Sequence, residues 1–161
     1  MNELPRQWRV FKGFSIVQMV LVTFFLVVSV SGVFSSGNVF WRMFESICYG
    51  CMLIFLYQGF TILNDNYPDT ALSLKQKRSF NIFFLINFLM IAFVFAKLIN
   101  QWRWAGILWS DSGLTSRSII LVATPLLMSL LVFVLHIMYL AGMYRLRVLI
   151  HQNSSKILDD I

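Results

Sequence analysis

Four long runs of apolar residues fill most of this 161-residue chain, roughly Gly13 to Phe34, Phe44 to Leu63, Phe80 to Ile99 and Ser118 to Gly142. Each meets the requirement of about 20 apolar residues for a helix to cross a hydrocarbon core of about 30 Å, at about 1.5 Å rise per residue. Apolar residues make up 58% of the sequence and charged residues 12%. The charged share is about half the roughly 25% of a soluble domain, so there is too little charge to coat a water-facing surface. The gaps between runs are short, which makes neighbouring helices antiparallel. The expected fold is all-α: an integral-membrane four-helix bundle, up-down-up-down, occupying residues 1–161 as one transmembrane domain.

Orientation follows from the basic residues. Arg6, Arg9 and Lys12 precede the first run, Lys75, Lys77 and Arg78 lie in the middle gap, and Arg145, Arg147 and Lys156 follow the last. Arg42, Lys97, Arg103 and Arg117 belong to the two opposite gaps or their flanks. Basic residues are retained on the cytoplasmic side during insertion, so both termini and the middle loop are expected in the cytoplasm of a multi-pass bacterial inner-membrane protein. The formal net charge of +6 reads as this topology signal and as a collar for anionic headgroups of the lipid bilayer, not as a nucleic-acid surface. The start, with Ser29-Val30-Ser31 before Gly32, also has features of a cleaved secretory signal. Its near-spanning length, and the odd number of helices that cleavage would leave, favour an uncleaved first helix.

Trp41 near the first opposite gap, and Trp102, Trp104 and Trp109 in the second, suit the headgroup layer, where indole rings anchor helix ends. Gly106, Asp111, Ser112, Gly113 and Ser116 supply turn chemistry there. In the middle gap Pro68 blocks the second helix from running on, Asp69 or Thr70 is expected to cap the next, and Ala71 to Ser79 to form a short helical lead. Pro125, after Thr124, removes one hydrogen bond from the fourth helix and can bend it.

The end of the second run, Ile54 to Leu63, aligns with Ile137 to Leu146 at the end of the fourth, with Ile, Gly and Leu coinciding. This register suggests two parallel helical-hairpin repeats. The two exits, Gly59-Phe60-Thr61-Ile62-Leu63 and Gly142-Met143-Tyr144-Arg145-Leu146, resemble those of a bacterial domain-of-unknown-function family of small four-helix inner-membrane proteins. Members are often encoded beside a helix-turn-helix regulator, so the resemblance implies an accessory, sensory or regulatory role through protein contacts. The family's more acidic tail is replaced here by His151-Gln152-Asn153-Ser154-Ser155. The resemblance carries no catalytic residues.

Chemistry-bearing residues gather in the cytoplasmic half. Gln18, Gln58, Asn87 and His136 lie about five to seven residues inside the inner ends, roughly 7 to 10 Å deep, one per helix. Such side chains are costly against lipid and gain by bonding one another, so an inward-facing polar layer is expected. Ser129, His136 and Tyr139 fall near one face of the fourth helix. The layer can serve as structural glue or as a site in which His136 titrates. No cofactor is expected: the other histidine, His151, lies in the tail, and no carboxylate joins His136 at metal-ligand spacing.

Cys48 and Cys51 have the spacing of a redox pair and a placement like that of the quinone-linked disulfide oxidases. Those enzymes need a second cysteine pair, and this chain has two cysteines in all, so apolar thiols are the simpler reading. Ser46 with Gly50, and Ala92 with Ala96, follow small-xxx-small spacing, suited to helix contacts within the bundle or to a homo-oligomer. The composite expectation is a non-enzymatic accessory protein that contacts a membrane protein partner. The alternatives are a small-molecule transporter or channel subunit, disfavoured by the lack of charge at mid-span, and a thiol-redox enzyme.

Overall fold

The computed structural model describes residues 3–35, 38–111 and 116–159. Four helices account for nearly all of them: α1 Glu3–Ser35, α2 Val39–Asn66, α3 Leu74–Asp111 and α4 Ser116–Asp159. All four contain stretches long and apolar enough to cross a membrane. Their order round the bundle is α1, α2, α3, α4 and back to α1, with α2 and α4 also touching across the diagonal and α1 and α3 not in contact among the described residues. Both described chain ends and the α2–α3 turn therefore share one end, called proximal here. The turns after α1 and α3 share the distal end.

The helices overrun the apolar runs. α1 begins near the N-terminus with Pro5 in its first turn, where the missing amide proton costs nothing, and Leu4 and Phe11 are already buried. α4 continues past Gly142 and buries Leu146 and Ile150. At the start of α2, Asn38 is the cap, its side-chain oxygen accepting from the Trp41 amide at 3.4 Å. The cap of α3 is Ser73, not Asp69 or Thr70. Its hydroxyl accepts from the Gln76 amide at 3.3 Å while the Gln76 side chain accepts from the Ser73 amide at 2.9 Å, a reciprocal capping box. From Leu74 the helix runs unbroken, so there is no separate lead segment.

Gly106 and Asp111, read as turn residues, lie within α3. One glycine costs a helix about 1 kcal/mol against alanine, too little to end it among good helix formers. Ser112 and Gly113, and the side chains of Trp109, Asp111, Ser116, Arg117 and Lys156, lie outside the described residues. Trp41, Trp102 and Trp104 are exposed.

Packing follows a seam of alternating three- and four-residue steps. On α2 the buried residues are Glu45, Tyr49, Met52, Leu56, Gly59, Leu63 and Asn66. On α4 the same stepping picks out Ser129, Val132, His136, Tyr139, Met143, Leu146 and Ile150. This is the knobs-into-holes pattern of a four-helix bundle. At the proximal end aromatic rings fill it: Trp8 stacks on Tyr67 at 4.9 Å, and Phe11 on Tyr139 at 5.4 Å. Gly142 makes room for this stack, since a Cβ there would lie 2.6 Å from the Phe11 ring.

The outward faces are as apolar as the seam. Val20, Val27, Leu85, Leu89 and Leu127 are all more than half exposed. Only 39% of even the best-packed spanning stretch, in α4, is buried inside the bundle. Such faces suit hydrocarbon rather than water.

Candidate functional site

Two polar constellations lie along the seam, one toward each end. The first joins three of the four residues expected in a polar layer. Gln18, Asn87 and His136 are each fully buried. The His136 ring connects the other two. Nε2 lies 2.6 Å from the Asn87 backbone oxygen and Nδ1 lies 2.7 Å from the Gln18 amide nitrogen. A backbone oxygen only accepts, so Nε2 carries the proton; Nδ1 is then free to accept from the Gln18 amide, which fits a neutral imidazole. Because α1 and α3 do not touch, the ring from α4 is the bridge between them.

Tyr139, one turn on, donates its hydroxyl to the Leu56 carbonyl at 2.7 Å and ties α4 to α2. Ser129, His136 and Tyr139 are all buried, on the shared face expected of them. Gln58 stays out of the layer. It is only half-buried, and the fourth helix contribution comes instead from the Leu56 backbone. The Asn87 amide is turned onto its own helix, donating to the Phe83 carbonyl at 2.8 Å. Gln18 Oε1, Asn87 Oδ1 and Ser15 Oγ are buried without a hydrogen-bond partner among the described residues.

This constellation acts as a joint between helices. Gln18→Leu keeps the volume and strips Nδ1 of its donor. The expected loss is about 0.6 kcal/mol and no more than about 1.7, the range for single hydrogen bonds between membrane helices. Reversible unfolding in mixed micelles measures it.

The second constellation, at the distal end, centres on Glu45, which sequence reading passed over. Its side chain is 2% exposed. Oε1 accepts from Lys97 Nζ of α3, and Oε2 accepts from Arg42 at 3.2 Å. Lys97, read as the flank of a gap, is 14% exposed and turned inward by this pair. Ser29 of α1 presents its hydroxyl 3.2 Å from the Arg42 carbonyl and 3.5 Å from Oε2, and Ser46 lies 3.2 Å from Ser29. Three helices thus converge on one carboxylate. Arg42 crosses α1 at Gly32, where a Cβ would sit 3.2 Å from its Nε.

Beside the cluster opens a cavity of about 310 Å³. Its polar wall includes Arg42, Glu45, Lys97 and Gln101, and its apolar wall includes Phe24, Phe25 and Met128. Gln101 Oε1 is buried there without a partner among the described residues. Thr124 and Pro125 complete the rim, so the one proline inside α4 stands at the cavity. Two cations and one carboxylate leave this wall with an excess positive charge beside aromatic surface. That combination suits a small amphipathic molecule carrying a negative or strongly polar group.

Cys48 and Cys51, about one and two turns from Glu45, are free thiols and half-buried. Of the small-residue pairs, Ala92 and Ala96 are exposed, and a Cβ on Gly50 would meet nothing within 4 Å. Ala92, Ala96 and Gly50 thus face away from the bundle, whereas Ser46 faces α1 through its hydrogen bond to Ser29. Among the described residues there is no group of three or more His, Cys, Asp or Glu side chains that could hold a metal ion. No family model, curated protein or solved structure matches this chain.

Proposed function

We propose that this protein is a multi-pass protein of the bacterial inner membrane, with both termini cytoplasmic, that serves as a non-enzymatic accessory or sensory factor. It holds a small amphipathic ligand in the distal cavity beside Glu45 and works by contact with another membrane protein. The outward apolar faces support residence in a bilayer. The gathering of Arg6, Arg9, Lys12, Lys75, Lys77, Arg78, Arg145 and Arg147 at the proximal end supports the orientation.

One observation carries the functional part: a carboxylate and an ammonium drawn inside a largely apolar bundle, with a half-exposed guanidinium beside them, next to a cavity. Charges within a membrane segment are costly and are rarely there for packing alone. The serine-rich α1–α2 crossing and the α3 lysine couple this cavity to three helices, so an occupant that shifts Lys97 or Arg42 changes how those helices lie. The exposed small residues on α3 supply a face on which a partner helix, or a second copy, can pack closely.

Native mass spectrometry of protein extracted gently from its own membranes tests the reading. The expected result is a complex with one further membrane protein and a retained small molecule, the latter lost in the Glu45→Gln/Lys97→Met double variant. A bare chain carrying neither would refute it. A transporter or channel subunit is the second reading, favoured by the Glu45–Lys97 pair, which places titratable groups inside the bundle although not at its middle. Proton flux in proteoliposomes that disappears with Glu45→Gln would select it.

A further inference from the structure

The proximal end carries a second cavity, of about 320 Å³, which the reading above does not use. It is lined by Leu72, Lys77, Arg147, Val148, His151 and Gln152. We propose that this cleft binds a phosphate group, borne either by an anionic phospholipid headgroup or by a free phosphate. Two cations, Lys77 and Arg147, line it together with the His151 imidazole and the Gln152 amide, and no carboxylate does, so its net field is positive.

Arg147 is held in place before any ligand arrives. One guanidinium nitrogen donates to Asn81 Oδ1 at 2.6 Å, and the group lies over the Phe80 ring at 5.0 Å. A guanidinium has five N–H donors, so this anchoring leaves others for the forked hydrogen bonding that phosphate oxygens accept. Lys77 makes no ion pair among the described residues, and from the start of α3 it lines the same cleft as Arg147. The far wall is the part of α4 that overruns its apolar run, tied down where Asn153 donates to the Pro68 carbonyl at 3.0 Å. Leu72, 5% exposed, and Val148 give an apolar edge against which a glycerol or acyl segment can lie.

A diffuse basic collar would treat every lysine near this end alike, whereas a built cleft does not. Lys75, two residues before Lys77 and so on nearly the opposite face of α3, is exposed and is not among the lining residues, which makes it the control. Purified full-length protein in neutral detergent is titrated with dioctanoyl phosphatidylglycerol and, separately, with inorganic phosphate, following bound mass and thermal stability.

Saturable binding is expected for at least one probe, weakened about tenfold by Lys77→Met or His151→Leu through loss of a charge-assisted hydrogen bond. Lys75→Met should bind as the natural protein does. Tighter binding of the lipid identifies a headgroup as the source, and equal or tighter binding of inorganic phosphate identifies a free phosphate. Both lysine variants are exposed or half-exposed at the surface, and unchanged helicity of each confirms that binding is what the titration reads. No saturable binding of either probe, or equal weakening by Lys75→Met and Lys77→Met, overturns the proposal.

Discussion

Glu45→Gln is expected to destabilise the bundle by about 3 kcal/mol, the lower part of the range for removing one partner of a buried ion pair. The substitution keeps the shape of the side chain and removes its charge. Lys97 and Arg42 are then left facing each other with no negative charge between them, and Lys97, 14% exposed, has little water to turn to. The double variant Glu45→Gln/Lys97→Met removes the stranded ammonium as well, and most of the loss should be recovered. Arg42, at 39% exposed, can relax outward and needs no second change. Unfolding in mixed micelles of the single and double variants, analysed as a cycle, measures the coupling directly. Additive losses would mean that the pair contributes nothing as a pair.

The second large effect is steric. At Gly59 a Cβ would come within 2.5 Å of the Tyr139 hydroxyl oxygen and 2.8 Å of Met143 Cε. The methionine can swing aside, but Tyr139 is held by its bond to the Leu56 carbonyl, and its ring stacks on Phe11. Gly59→Leu should therefore cost about 3 kcal/mol, the upper part of the usual range for overpacking, and detach α4 from α2 at the diagonal. Gly50→Leu, on the same helix in open space, is the matched control. It should be neutral or stabilising by up to about 1 kcal/mol, because leucine is the better helix former. Equal losses at both glycines would show that helix propensity, not the diagonal contact, governs them.

Four helices of roughly the right extent can be read from hydropathy because outward-facing and core-facing residues alike are apolar, and the runs stand out whole. That same property hides which way each residue points. In a water-soluble bundle the apolar stripe marks the inward face, whereas here Val27 and Leu89 face out while Gln18, Asn87 and His136 face in. Depth was legible and direction was not.

Depth alone places Gln58 in the layer. It sits one residue, about 100° of turn, from the inward Gly59. Stepping by threes and fours from Leu56 and Gly59 would have excluded Gln58 and, carried up the helix, reached Glu45. Of the seven acidic residues Glu45 is also the one inside an apolar run, which was signal enough. Lys97 needs three dimensions, since nothing in α3 alone says that its ammonium turns inward to α2.

Helix ends are hidden in the sequence for a different reason. Past the apolar runs, capping and packing decide where a helix stops. Ser73 with Gln76 outcompetes Asp69 and Thr70 because its box satisfies two amides at once. The overrun of α4 supplies both buried Leu146 and Ile150 and the wall of the phosphate cleft, neither of which an apolar run ending at Gly142 contains.

The account rests on a chain that crosses the bilayer four times, with the Glu45 cavity on the side away from both termini. Single cysteines at Asn38 and at Asp69, introduced in a Cys48→Ala/Cys51→Ala background, report the two sides when intact bacterial cells meet a membrane-impermeant maleimide. Asn38→Cys should be labelled in intact cells and Asp69→Cys only after permeabilisation. Labelling of Asp69→Cys in intact cells, or of both positions alike, would contradict it.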